Sequence, residues 1–323
     1  MVDTGKILVI GANGQLGVEL TEALVRQYGE DQVIPSDINP SNQANFIELD
    51  MLDADHLRAV VREKNVQTIY LLAALLSATG EKKPLLAWRI NMDGLLNVLE
   101  LAREGVIRQI FWPSSIAVFG ETTPKVNTPQ ETIISPDTMY GITKLAGERL
   151  AAYYAAKFGV DIRSLRYPGL IGYRALPGGG TTDYAVDIYH KAIAGEKFHC
   201  FLAADTRLPL MYMSDAVRAT LELMQAPANK ITIRSSYNLA GFSCTPAEIT
   251  TAIQQHVPDF QIEYQPDFRQ QIADSWPESI DDRLAQQDWG WQAQVNLEEM
   301  TLDMLKNLSQ RKKAAVETTF SSK

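Results

Sequence analysis

Short apolar runs alternate with amphipathic stretches along the first half of the chain. The run "KILVIG" (Lys6 to Gly11) reads as a buried strand, and "QLGVELTEALVRQYG" follows with helical periodicity, ending at Gly29. Next come the strand-like "QVIPSD" and "ANFIEL", a helix in "DADHLRAVVREKN", the strand "QTIYLLAA", a helix from Pro84 to about Arg103, and the strand "RQIFWPSS". A helix from about Met139 to Phe158 and the strand "VDIRSLRYPG" complete this region. Strands alternating with helices predict a parallel sheet covered on both faces. The expected fold is therefore α/β, a doubly wound parallel sheet with a smaller C-terminal lobe.

After Gly169 the pattern changes. "YRALPGGGTTDY" is glycine-rich, and the segments beyond it no longer alternate evenly. "YAVDIYHKAIAG" and "SDAVRATLELMQA" read as helices and "SSYNLAG" as a late strand. "TPAEITTAIQQHV" reads as a helix capped by Thr245, with Glu248 closing a capping box. Trp276, Trp289 and Trp291 are expected to pack the small lobe. "SQRKKAAVETTFSSK" is expected to be a frayed tail.

With 323 residues, 46% hydrophobic and 21% charged, the chain can bury a large core. Its net charge of -9 gives no electrostatic reason to expect nucleic acid or an anionic membrane as partner. No apolar segment approaches the ~20 residues a membrane-spanning helix needs. Two cysteines, Cys200 and Cys244, are too few for a disulfide framework, and the first residues lack the apolar run of a secretory signal, so the cytoplasm is expected. His56, His190, His199 and His256 are scattered without ligand spacing, so no metal site is expected.

Candidate chemistry begins at Gly11-Ala-Asn13-Gly14-Gln15-Leu16-Gly17, a GxxGxxG loop between a strand and a helix. Glycines there let the backbone turn tightly and approach a pyrophosphate at the helix N-terminus. Asp37 ends the second strand, where a carboxylate can accept both hydroxyls of an adenosine ribose. It would repel a 2′-phosphate, and Ile38, Asn39 and Pro40 bring no arginine to offset that. NAD is favoured over NADP. Asp50 and Met51 follow the third strand and are candidates for the adenine.

Ser114 and Ser115 end the strand "RQIFWPSS", at the carboxyl edge where open α/β sheets bind ligands. Tyr140 and Lys144, one helical turn apart in "YGITK", share a helix face. A phenol with an ordinary pKa near 10 is a poor base at neutrality, and an adjacent ammonium favours its ionised form. A hydroxyl, a phenol and an ammonium converging beside a nicotinamide would serve proton removal from an alcohol whose carbon loses hydride.

The ordered set GxxGxxG, Asp37, "PSSIAVFG" and "YGITK" resembles the extended short-chain dehydrogenase/reductase superfamily, the branch that includes nucleotide-sugar epimerases and dehydratases. The resemblance runs from Lys6 to about Gly169. It implies a Rossmann-like NAD-binding domain over residues 1–170, a substrate lobe interleaved with the core over 171–310, and a tail over 311–323. It also implies Tyr140 as general acid/base, Lys144 as a second cofactor ligand, and Ser115 as the group that orients substrate. Ile38, Leu72, Ala73, Ala74, Asn91, Tyr167 and Leu170 are further cofactor contacts by the same likeness. Many relatives carry a threonine two residues after the second serine; this chain has Ala117. The choice between Ser114 and Ser115 stays open, with Ser115 favoured on motif position.

The stretches "LLAALLSATGEKKP", "LRYPGLIGYRALPGGGTTDYAV" and "SWPESIDDRLAQQDWGW" are similar to the short-chain L-threonine 3-dehydrogenases, which extends the resemblance to Trp291. That likeness implies L-threonine as substrate, bound by Ser77, Thr181 and Thr182 with Ser115 and Tyr140, and 2-amino-3-oxobutanoate as product. It further implies a homodimer through the helices after Lys83 and around Tyr140. A nucleotide-sugar epimerase or reductase is the alternative. Against it, Arg207, Arg218 and Arg234 are isolated in sequence, although Arg207 or Arg269 could meet a diphosphate. A non-enzymatic dinucleotide sensor is the third reading, which an intact Tyr/Lys pair disfavours.

Overall fold

The computed structural model describes residues 5–176 and 178–321. In chain order, the strands of the first half are β1 (Lys6–Ile10), β2 (Val33–Asp37), β3 (Ile47–Glu48), β4 (Val66–Leu71), β5 (Gln109–Phe111), β6 (Ser114–Ser115), β7 (Asp161–Arg163), β8 (Leu165–Tyr167) and β9 (Gly169–Ile171). Helices α1 (Gln15–Tyr28), α2 (Ala54–Glu63), α3 (Ser77–Lys82), α4 (Pro84–Trp88), α5 (Gly94–Arg103) and α6 (Met139–Phe158) connect them. A six-stranded parallel sheet runs in the order β3-β2-β1-β4-β5-β7. The chain winds outward from β1 on one side and resumes at β4 on the other, which opens a crevice at the carboxyl ends of β1 and β4.

Alternation along β1 sets the two faces. Ile7 and Val9 join Leu20 and Leu24 of α1, whereas Leu8 and Ile10 join Leu57 of α2, Leu99 of α5 and Ala151 of α6. Both faces are buried, as a parallel sheet requires.

The rest of the chain forms β10 (Phe198–Cys200), β11 (Leu208–Tyr212), β12 (Tyr237–Asn238), β13 (Phe242–Cys244) and β14 (Ile262–Tyr264), with helices α7 (Tyr184–Ala194), α8 (Met213–Gln225), α9 (Pro246–Gln254), α10 (Arg269–Ser275), α11 (Arg283–Trp289) and α12 (Leu297–Ser321). It does not separate cleanly from the first half. Strand β12 pairs with β8, which pairs with β6, and α8 packs on the face that α1 covers. The capping box of α9 forms, with Thr245 Oγ1 accepting from Glu248 N and Glu248 Oε2 accepting from Thr245 N.

Three expectations change. Between α4 and α5 the expected single helix contains a π-helical turn over Arg89–Asp93. Such a turn offsets the residues that follow by one position around the axis. Trp276 packs in the small lobe as expected, but Trp289 and Trp291 join Ile7, Val9 and Leu20 on the main sheet's face. Finally, the expected tail is helical through Ser321. From Leu297 to Ser321 there is neither glycine nor proline to stop a helix. Arg311 Nη1 donates to the carbonyls of Tyr173 and Arg174, and Lys312 Nζ to that of Ile193, which ties this helix to the body.

Candidate active site

The crevice opens into a cleft of about 870 Å³. At one end lies the glycine loop. Gly11 follows β1 with φ +91°, and a Cβ there would meet the Ala73 backbone nitrogen at 2.6 Å. A Cβ on Gly17 would meet Gly11 O at 2.1 Å, so helix and loop pack backbone to backbone. Gly14 differs: a Cβ there would touch only Gly11 O, at 3.4 Å, leaving the space before the helix to a ligand. No side chain caps α1, so its first N–H groups face the cleft, and Gln15 Nε2 is buried with no hydrogen-bond partner. A group bringing phosphate oxygens to this end fits what the residues leave unsatisfied.

Asp37 closes the same end. Its Oδ2 accepts from Asn13 N at 3.3 Å and its Oδ1 from Asn39 N at 3.0 Å, so the carboxylate is held beside the loop. Ile38, Asp50, Met51, Leu72, Ala73 and Ala74 line the cleft with Asn13, Gln15 and Leu16.

Asn91, expected to contact the cofactor, has its amide engaged within the protein: its Oδ1 accepts from Leu75 N at 2.8 Å, while Nδ2 donates to Leu75 O at 3.1 Å and Thr143 Oγ1 at 3.0 Å. Both faces of the amide are occupied inside the protein. Its work is to clamp the segment before Ser77 to the turn carrying Tyr140. Tyr167 and Leu170 do line the cleft, but the Tyr167 hydroxyl turns away to Thr220 Oγ1.

At the other end, α6 presents its first turns. Thr138 Oγ1 accepts from Gly141 N at 3.0 Å, and Glu81 Oε1 of α3 accepts from Met139 N at 2.7 Å, which fixes where the helix begins. Tyr140 and Lys144 therefore project from successive turns into the cleft. The Lys144 Nζ donates to Pro113 O at 2.6 Å and lies 4.5 Å from the Trp112 ring centroid and 5.4 Å from that of Tyr140. Ser115 Oγ accepts from Ala117 N at 3.2 Å and lines the cleft with Tyr140. Ser114 faces inward instead, donating to Glu148 Oε1 at 2.7 Å. Alternation along β6 thus puts the two hydroxyls on opposite sides.

Burial dominates the electrostatics. It pushes the Tyr140 phenol up to about 12, against the lowering effect of the Ser115 hydroxyl. It pushes the Lys144 ammonium down to about 7, opposed by the Glu148 charge. The sequence suggested a phenol made acidic by its neighbour; without a bound ligand, desolvation outweighs that effect.

Between these ends, Ser77 Oγ and Thr181 Oγ1 lie 3.2 Å apart, both buried and lining the cleft, with Thr182 alongside. Asp183 precedes α7 without a side-chain cap bond; its Oδ2 accepts from Gly179 N at 2.8 Å and Gly180 N at 2.7 Å and so shapes the glycine-rich turn. Sequence reasoning did not assign Asp183, Pro113 or Trp276 to the cleft. Trp276 stands in the quoted "SWPESIDD", where a tryptophan beside a proline in a loop was the available signal.

Among the described lining residues, Lys144 is the one cation. The arginines that could have met a diphosphate are paired elsewhere: Arg207 with Glu248, Arg218 with Asp215, Arg234 with Asp161 and Arg269 with Asp267. No group of three or more His, Cys, Asp or Glu among the described residues could hold a metal ion.

A profile of the NAD dependent epimerase/dehydratase family matches residues 7–240. The chain belongs to the NAD dependent epimerase/dehydratase family. An uncharacterized epimerase/dehydratase of Staphylococcus saprophyticus is 47% identical over 318 residues, covering 96% of this chain and 99% of that protein. Among solved structures, a partial consensus L-threonine 3-dehydrogenase is 57% identical with a TM-score of 0.93, covering 94% of this chain and 99% of its own. A GalE-like L-threonine dehydrogenase from Cupriavidus necator in its holo form is 56% identical with a TM-score of 0.92, at the same coverages. The family is NAD dependent, so the cofactor is NAD, and the chain closely resembles solved L-threonine dehydrogenases.

Proposed function

We propose that the protein oxidises the β-hydroxyl of L-threonine, giving 2-amino-3-oxobutanoate, NADH and a proton. The observation that carries this reading is the composition of the substrate end: closely placed hydroxyls of Ser77, Thr181 and Thr182 beside Tyr140, with no arginine among the described lining residues. Such a pocket suits a small zwitterion and offers nothing to a nucleoside diphosphate. The threonine dehydrogenases at 56% and 57% identity support the same substrate.

NAD, when bound, supplies the hydride acceptor. The glycine loop, Asp37 and the α1 N-terminus would hold it, with Met51 and Asp50 at the adenine end. Ser115 holds the substrate hydroxyl against the Tyr140 phenolic oxygen, which accepts its proton when ionised. Lys144 sits on the face of the tyrosine ring, where its charge favours the phenolate. Burial of these groups strengthens that field relative to water.

The test is direct. Purified protein is mixed with NAD and either L-threonine or UDP-glucose, and the absorbance of reduced nicotinamide is followed. Signal with threonine is expected; signal only with UDP-glucose, or with neither, defeats the reading.

We also propose a homodimer. Leu85 and Trp88 on α4 and Ile142 and Tyr153 on α6 are large apolar side chains left exposed on adjoining helices, a face that suits a second copy. A cytoplasmic location is proposed with it: among the described residues no helix is long and apolar enough to cross a membrane, and both cysteines are free and buried.

A further inference from the structure

Lys144 is only 2% exposed, and no carboxylate of the described residues forms an ion pair with it. One turn further along α6, Glu148 is 1% exposed. Its carboxylate accepts from Arg166 Nε at 2.8 Å, Arg166 Nη2 at 2.7 Å and Ser114 Oγ at 2.7 Å. Arg166 is itself anchored through Nη1 to Asn238 Oδ1 at 3.0 Å and to Gln130 O at 3.2 Å. This network joins the helix of Tyr140 and Lys144 to the strand of Ser115 and to β8.

A buried ion pair is a weak source of stability, because desolvating both charges offsets most of their attraction. Its position beside Lys144 points to another role. On the dehydrogenase reading above, we propose that Glu148 is a positioning residue, fixed by Arg166 and Ser114, that keeps the Lys144 side chain charged and in place beneath Tyr140.

An ammonium this deep is costly, and the Pro113 carbonyl and Trp112 ring offset only part of that cost. Glu148 adds a full negative charge at one helical turn, and its effect on Lys144 favours the protonated form. The other charged or titratable groups on the neighbouring elements are Tyr140 on its own helix, whose ring centroid lies 5.4 Å from Lys144 Nζ, Arg166 of β8, which is held by Glu148, and Tyr167 of β8, which lines the same cleft; Glu81 of α3 is engaged with Met139 N. Tyr140 is neutral near pH 7, since burial raises its phenol, and the Tyr167 hydroxyl is directed to Thr220. Without Glu148, Arg166 loses its carboxylate partner and Lys144 loses the negative charge one turn along its helix. The ammonium then sheds its proton more readily, and the phenolate loses the charge that favours it.

The experiment reads Lys144 directly, in the absence of NAD and threonine. Protein carrying 13Cε-labelled lysine is titrated by NMR, with the Lys144 signal assigned by its loss in Lys144→Met. In Glu148→Gln the midpoint is expected at least about one pH unit below that of the wild type. Glu148→Asp, which keeps the charge, should restore most of it. The kcat/KM profile of Glu148→Gln should lose its alkaline side at correspondingly lower pH, with KM for threonine little changed. If Glu148→Gln does not fold, Glu148→Leu with Arg166→Met leaves no unpaired ion and should still titrate below the wild type. An unchanged midpoint in a folded variant overturns the proposal. Failure of the wild type to oxidise threonine overturns the substrate reading instead, and leaves the NMR result standing.

Discussion

The Lys144 ammonium donates to the carbonyl oxygen of Pro113 at 2.6 Å, one residue before the serine pair. This bond holds a cation where burial brings its pKa down to about 7 from an ordinary 10.5. Between those two pH values the unfolded chain carries a proton on this lysine that the folded protein has released. Folding stability from this group therefore rises as pH increases from about 7 toward 10.5, and is least below 7. Chemical denaturation of the NAD-free protein across this range should show that rise, and Lys144→Met should flatten it. Parallel curves for the two proteins would contradict the assignment.

Tyr140→Phe removes the phenolic oxygen and leaves the ring in place. Turnover is expected to fall by about a hundredfold or more, with NAD affinity retained. Steady-state kinetics together with NAD titration by fluorescence check this. Turnover within a few-fold of wild type would remove Tyr140 from the proton-transfer role.

Two glycines of one loop should behave differently. In Gly14→Ala the new methyl meets only Gly11 O and otherwise occupies the cleft, so thermal stability should hold while NAD binding weakens. In Gly17→Ala it would collide with Gly11 O at 2.1 Å, so the fold itself should be destabilised, by about 1–3 kcal/mol or more. Melting curves with and without NAD separate the two. Equal losses of stability would show that Gly14 is packed rather than open.

Asp37 should decide between dinucleotides. Its carboxylate is held by Asn13 N and Asn39 N, pointing at the end of the cleft nearest the glycine loop. Asp37→Ser should raise KM for NAD by about tenfold, the loss expected for a hydrogen bond to a charged acceptor, and lower that for NADP. An unaltered NAD/NADP ratio would place the ribose elsewhere.

Local features were the most legible in the sequence. The ends of α6 are set by Thr138 and by Gly159, whose φ of +69° is left-handed, and the Thr245–Glu248 box forms as spelled. Each depends on residues a few positions apart. The Glu148–Arg166 pair spans 18 residues and the Ser77–Thr181 contact 104, so neither could be read from spacing. The partners of the Asn91 amide, Leu75 and Thr143, lie 16 and 52 residues away and were equally out of reach of spacing. The terminal helix was missed because its polar sequence looked unanchored, whereas Arg311 and Lys312 reach carbonyls far back in the chain.

The pairing of β12 with β8, and the packing of Trp291 beside Val9 and Leu20, bind the last part of the chain to its beginning. On the ribosome, the opening half must wait with an uncovered apolar surface until about residue 291 has emerged. A gene cut after residue 170 would encode a fragment with that same surface bare, prone to self-association and poorly suited to use as a detachable nucleotide-binding module.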